Sequence, residues 1–223
     1  MNKKSIMFDL DGVLVDLHSS LKRIVVETYP KFSCKRILTY DFNKSLDFSK
    51  VSDLFLDSDL FPSMRDTFFG LNAPVDYIKS ELSNLRVFKE ALYFDGVVEL
   101  LQSLSEFYNI VFHSYAFTCD VAQYKTDMLY RDFGGKFDFS VVTSVGVKKP
   151  ALYGMDYVIE DNLFDLEEYL GCPNVNLCII DRPYNSELFN PNLSSVFEES
   201  IRYKNIQSCL QDLLKKGRES CSM

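Results

Sequence analysis

Several things are missing from this sequence, and each absence narrows what the chain can be. No stretch of about 20 apolar residues is present to cross a bilayer. The N-terminal apolar run is cut by acids before it reaches the length of a secretory signal. The six cysteines (Cys34, Cys119, Cys172, Cys178, Cys209 and Cys221) form no Cys-x-x-Cys pair and no zinc-type spacing, so reduced, structural thiols are expected. Histidine occurs only twice, and no internal repeat or low-complexity tract appears. Basic residues are the minority, 24 against 32 acidic, for a net charge of −8. That balance argues against a broad surface for nucleic acid or anionic membrane, while leaving room for a small basic pocket. A soluble, cytoplasmic protein is expected, with no nucleic-acid or membrane partner and with a homodimer left open.

What is present is an alternation of strands and helices. Short apolar runs at 4–9, 108–114, 139–145, 157–161 and 175–181 read as buried strands. Between and after them, 96–107, 119–135, 163–171 and 206–216 read as amphipathic helices, the second ending at Gly134 and Gly135. From 17 to 92 the pattern is helical, beginning with Leu17, Leu21, Ile24, Val25 and Tyr29 on one face and punctuated by Pro62, Gly70 and Pro74. The expected fold is α/β: a Rossmann-like parallel sheet flanked by helices, with a helical cap inserted after the first strand. The core is expected at 1–16 and 93–223, and the cap, three to five short helices, at 17–92.

In such sheets chemistry gathers at the carboxyl ends of the strands. The residues expected there are Asp9 and Asp11, Ser114, the Lys148–Lys149 pair, Glu160 and Asp161, and Asp181. Carboxylates crowded at strand ends repel unless a cation sits among them. Asp9, Asp11, Glu160 and Asp161 form an oxygen-donor set suited to Mg2+. Such an ion also screens an incoming phosphate. A carboxylate can then attack phosphorus to form an aspartyl phosphate, with Asp11 placed to act as acid and base. Ser114 and Lys149 would steady the non-bridging oxygens, with Lys148 competing for the lysine role. Singly, each of these residues also reads as an ordinary cap or loop residue; their order along successive strand ends is what points to a site.

These motifs resemble the haloacid dehalogenase superfamily of phosphohydrolases. FDLDGVLVD matches its first motif, three apolar residues, Asp-x-Asp-Gly, then Thr or Val, two apolar residues and Asp. Ser114 in IVFHS resembles the second motif, Lys149 in VKKP the third and YVIEDN the fourth. The resemblance implies Asp9 as nucleophile and Asp11 as acid/base. It also implies Mg2+ held by Asp9, by the main-chain carbonyl of Asp11, and by Asp161 with or without Glu160. The order KTDMLYRDFGGKFDFSVVTSVGVKKPALYGMDYVIEDN, then CIIDRPYN, is similar to the 5'(3')-deoxyribonucleotidase branch. Three positions depart from it. Glu160 stands for an aspartate, Tyr115 and Ala116 follow Ser114 where Ser-Pro is usual, and Phe94-Asp95-Gly96 replaces the Gly-Pro entering the core.

The function implied is a magnesium-dependent phosphatase, of the 5'-nucleotidase type, that hydrolyses (deoxy)nucleoside monophosphates. Its substrate is a small molecule. Cap aromatics Phe61, Phe68, Phe69, Tyr77 and Phe88 are candidates to stack on a base, or simply to fill the cap core. His18 either faces the pocket mouth or only begins the cap helix, and His113 is expected in the core. Asp181 is expected to cap or orient loop groups. Rival readings are a phosphatase of another small metabolite such as a sugar phosphate, a nucleic-acid 3'-end phosphatase, and a non-catalytic binding protein of the same fold. The last of these usually lacks one of the paired aspartates that Asp9 and Asp11 represent here.

Overall fold

Six strands assemble into one parallel sheet. The computed structural model describes residues 3–28, 80–146, 151–182, 185 and 194–221. The strands are β1 (Lys4–Phe8), β2 (Tyr108–Ala116), β3 (Phe139–Val145), β4 (Tyr157–Glu160), β5 (Asn176–Ile180) and β6 (Ser200–Tyr203). Their order across the sheet is β3-β2-β1-β4-β5-β6, and every neighbouring pair is parallel. β1, β4 and β5 are largely buried inside the sheet, and β3 and β6 are part-exposed at its edges.

Side chains two apart on a strand share a face, and the packing divides accordingly. Ile6 and Phe8 of β1, with Ile159 of β4 and Cys178 of β5, pack in one apolar cluster with residues of α3 (Val97–Leu104), α4 (Cys119–Phe133) and α7 (Ile206–Cys221). Met7, Val158 and Leu177, offset by one residue, pack with α5 (Leu163–Glu167) and α6 (Ser194–Glu199). The helices joining β1 to β2 and β2 to β3 therefore cover one face, and those joining β4 to β5 and β5 to β6 cover the other. The winding reverses between β1 and β4. In a doubly wound sheet that reversal opens a crevice at the carboxyl edge, where ligands bind.

The chain leaves and re-enters the core through one stem. Asp16 donates its backbone N–H to Leu92 (2.8 Å) and Phe94 donates to Leu14 (3.0 Å), so the outgoing and returning chains lie side by side. Of the helical segment expected at 17–92, α1 (Leu17–Thr28) and α2 (Leu85–Glu90) are described; residues 29–79 lie outside the described residues. Leu17, Leu21 and Ile24 recur at helical spacing and pack with Val87 and Phe88 of α2 against Ala116 and Val121 of the core.

β3 runs over the stretch expected, whereas β2 continues two residues past Ser114, and α5 stops at Glu167 rather than 171. Strand β6 and helix α6 were not expected. β6 is an edge strand of four half-exposed residues, too short to carry a period. Among the described residues no helix is long and apolar enough to cross a membrane.

Candidate active site

The crevice is built first by the end of β1. Asp9 extends the ladder, donating its N–H to Ile159 (3.0 Å), and its side chain is buried. The chain then makes one tight turn: Leu14 and Val15 both donate to the carbonyl of Leu10, at 3.0 and 2.9 Å, and Gly12 donates to Val15 at 2.9 Å. Gly12 adopts φ +79°, a left-handed conformation that a side chain would make costly. This turn is why Asp9 and Asp11 have different surroundings although only two residues apart.

The carboxylates of Asp9, Glu160 and Asp161 converge, each offering an oxygen within 4.8 Å of the others. All three side chains are buried, Glu160 completely. Glu160 accepts hydrogen bonds from the N–H groups of Asp161 (3.1 Å) and Asn162 (3.3 Å), which offset part of its charge. Asn162 caps α5, accepting from the N–H of Phe164 at 3.1 Å. Three buried carboxylates at this spacing repel strongly. Oxygens around a Mg2+ ion at about 2.1 Å lie roughly 3 to 4 Å apart, so a small adjustment fits this set to a hard divalent cation. The side chain of Asp11 is not in the group. Expected to reach the ion through its main-chain carbonyl, Asp11 turns its carboxylate to a different partner.

That partner is Lys125, which the sequence reading missed. Val121, Lys125, Met128 and Leu129 share the buried face of α4, so the lysine side chain is carried into the crevice at 1% exposure. Its ammonium forms an ion pair with Asp11 and hydrogen bonds to the Ser114 hydroxyl (2.9 Å) and the Tyr115 carbonyl (2.5 Å). It also stands 4.8 Å from the ring centre of Phe88. A buried ammonium is stable only when its donors are satisfied in this way. The available signal was a lysine four residues after Val121 on an apolar stripe.

Ser114, the expected phosphate ligand, is buried beside this ammonium. Lys148 and Lys149 lie outside the described residues, as do Phe61, Phe68, Phe69 and Tyr77. Phe88 packs within the cluster between stem and core. His113 is fully buried in β2. His18 is buried too, and burial followed by the nearby positive Arg182 pushes its pKa down to about 3, so it stays neutral. Asp181 accepts from the Arg202 guanidinium at 2.5 and 2.8 Å, tying the turn after β5 to the edge strand.

No protein-family model matches this chain, and no curated protein matches it in sequence. Solved structures do. A Clostridium difficile protein described as a phosphatase is 14% identical, with TM-score 0.52 over 96% of this chain and 99% of that one. A Bacillus subtilis protein described as a HAD-hydrolase and bound to magnesium is 14% identical, with TM-score 0.51 over 96% and 99%. A haloacid dehalogenase-like hydrolase of Burkholderia xenovorans is 13% identical, with TM-score 0.50 over 95% and 96%. The buried carboxylate cluster is, by its oxygen donors, chemically suited to a hard divalent cation such as Mg2+. With sequence identity this low, the likeness establishes architecture: this chain has the α/β fold of the haloacid dehalogenase-like hydrolases.

Proposed function

We propose that this protein is a magnesium-dependent phosphomonoesterase that works through a phosphorylated Asp9, and that its substrates are (deoxy)nucleoside monophosphates. The observation carrying the reading is the meeting of Asp9, Glu160 and Asp161 at the reversal between β1 and β4, beside the ion pair of the buried Lys125 with the part-buried Asp11. Bound among these acids, Mg2+ would offset their repulsion and screen the charge of an arriving phosphate.

The residues then have distinct tasks. An Asp9 oxygen attacks phosphorus, the bond to the leaving oxygen breaks, and Asp11 delivers the proton that oxygen needs. In the resting site Lys125 holds Asp11 as a carboxylate. An incoming phosphate competes for the same ammonium, which makes protonation of Asp11 easier as the substrate settles. Ser114 and Lys125 then face the oxygens on which charge accumulates. In the second half Asp11 takes a proton from water, and that water releases phosphate from Asp9. Lys149 would add a second positive charge from the segment before β4.

The nucleotide preference rests on the order of KTDMLYRDFGG, VKKP, YVIEDN and CIIDRPYN along the chain. A net charge of −8 favours a small substrate over a polyanion. The test is phosphate release from 5'- and 3'-monophosphates of ribo- and deoxynucleosides, sugar phosphates and a 3'-phosphorylated oligonucleotide, with and without Mg2+. Preference for the nucleoside monophosphates supports the assignment. Equal or faster release from sugar phosphates overturns the nucleotide part while leaving the phosphatase chemistry standing.

A further inference from the structure

The turn after β5 grips both halves of the acid cluster. Arg182 is buried, and its guanidinium donates to the main-chain carbonyl of Gly12 through Nε (2.8 Å) and also through Nη2. Its Nη1 donates to the carbonyl of Asp181 at 3.3 Å, and the guanidinium carbon lies 4.8 Å from the ring centre of Phe94. Three residues on, the Asn185 side-chain amide donates to the carbonyls of Asp161 and Ile180, both at 2.8 Å. The two ends of the turn are locked together, because Asn185 Oδ1 accepts from the Arg182 N–H (2.9 Å) and the Asn185 N–H donates to the Arg182 carbonyl (3.1 Å).

Among the described residues no carboxylate forms an ion pair with Arg182. Burying a guanidinium on carbonyls is a poor way to gain stability, since a packed apolar side chain of similar size does as well or better. What an apolar residue does not supply is a directional, two-point hold on one carbonyl. That carbonyl belongs to the residue directly after Asp11, in the one turn that separates the surroundings of Asp9 and Asp11. Asn185 meanwhile holds the main chain of Asp161 at the other side of the cluster. Removing the fork frees the Gly12 peptide to rotate, and a loop carrying two working carboxylates then loses its register with the Glu160–Asp161 strand end.

We propose that Arg182 is a positioning residue, acting through Gly12 to set the Asp9–Asp11 turn against Asp161. The inference rests on the proposed function for its kinetic readout but not for its binding readout. Arg182→Lys keeps the charge and removes the fork. The expected result is a kcat lowered about 10- to 100-fold with KM within about two-fold of wild type, and a calorimetric Mg2+ affinity weakened about 10-fold. Arg182→Ala should lose activity likewise and regain it in millimolar guanidinium chloride, but not in equal sodium chloride. It also serves as the deciding variant if the lysine variant does not fold. Variants with kcat and Mg2+ affinity within two-fold of wild type overturn the proposal, as does a loss confined to KM. A wild type inert on every phosphomonoester would sink the functional reading instead, and the Mg2+ titration of Arg182→Lys would still decide the role of Arg182.

Discussion

The Lys125 ammonium stands 2.9 Å from the hydroxyl of Ser114, 11 residues earlier in the chain, while also pairing with Asp11. One buried cation thus joins the loop after β1, the end of β2 and the face of α4. Arranged this way, the site should respond very differently to loss of charge and loss of packing.

Lys125→Met keeps much of the volume and removes the charge. Activity should fall by about two to three orders of magnitude, the usual result of deleting a group aimed at developing charge. Stability should fall by no more than about 3 to 5 kcal/mol, because relief from burying an ammonium is set against the loss of this partner by the Asp11 carboxylate and the Ser114 hydroxyl. Steady-state kinetics alongside urea unfolding would separate these two effects. Activity within ten-fold of wild type would remove Lys125 from the mechanism.

Asp9→Asn should leave the fold intact and abolish turnover, since an amide is not a competent nucleophile toward phosphorus. Mass spectrometry after rapid acid quenching should detect a phosphorylated wild-type protein and none in the variant. Retained turnover in Asp9→Asn rules out the aspartyl-phosphate route.

Adding Mg2+ should raise the melting temperature, since an ion that binds only the folded state adds about 2.7 kcal/mol at 100 times its dissociation constant. Chelation should reverse the gain and abolish activity. Glu160→Gln keeps an acceptor for the Asp161 and Asn162 N–H groups but removes one of three crowded charges. The metal-free variant should therefore be as stable as wild type or more so, with a smaller rise on adding Mg2+. Thermal unfolding with and without the ion checks both signs, and a metal-free variant clearly less stable than wild type contradicts the repulsion argument.

His18 supplies a pH dependence. Its pKa falls from 6.5 to about 3 on folding, so between those values the unfolded chain binds more protons than the native one. Its contribution is thus fully present above about pH 6.5 and is lost as pH falls, with about 2 kcal/mol gone by pH 5. Urea unfolding of wild type and His18→Gln at pH 7 and pH 5 should show the wild type losing more stability by about that amount. Equal losses would mean that His18 accepts a proton in the folded protein.

Much of the fold was readable because its strands are unusually plain. The later residues of β1 and β5 and all of β4 are buried on both faces, so they appear as short apolar runs, and the acids that end them stand out at once. Asp9 and Asp11, Glu160 and Asp161 could be picked out for that reason, each pair being local in sequence. β6 gave no such signal, with four half-exposed residues at the sheet edge.

The amino-acid sequence by itself determined the alternation of strands and helices and the acids at the ends of β1 and β4. These depend on local period and composition. Tertiary structure alone decided that Lys125 and Arg182 are buried, that Asp11 turns its carboxylate to a lysine on another element, and that Asn185 braces Asp161. Lysine and arginine ordinarily lie in water, and only the packing of distant segments around them, with carbonyls and carboxylates to satisfy their donors, makes burial possible.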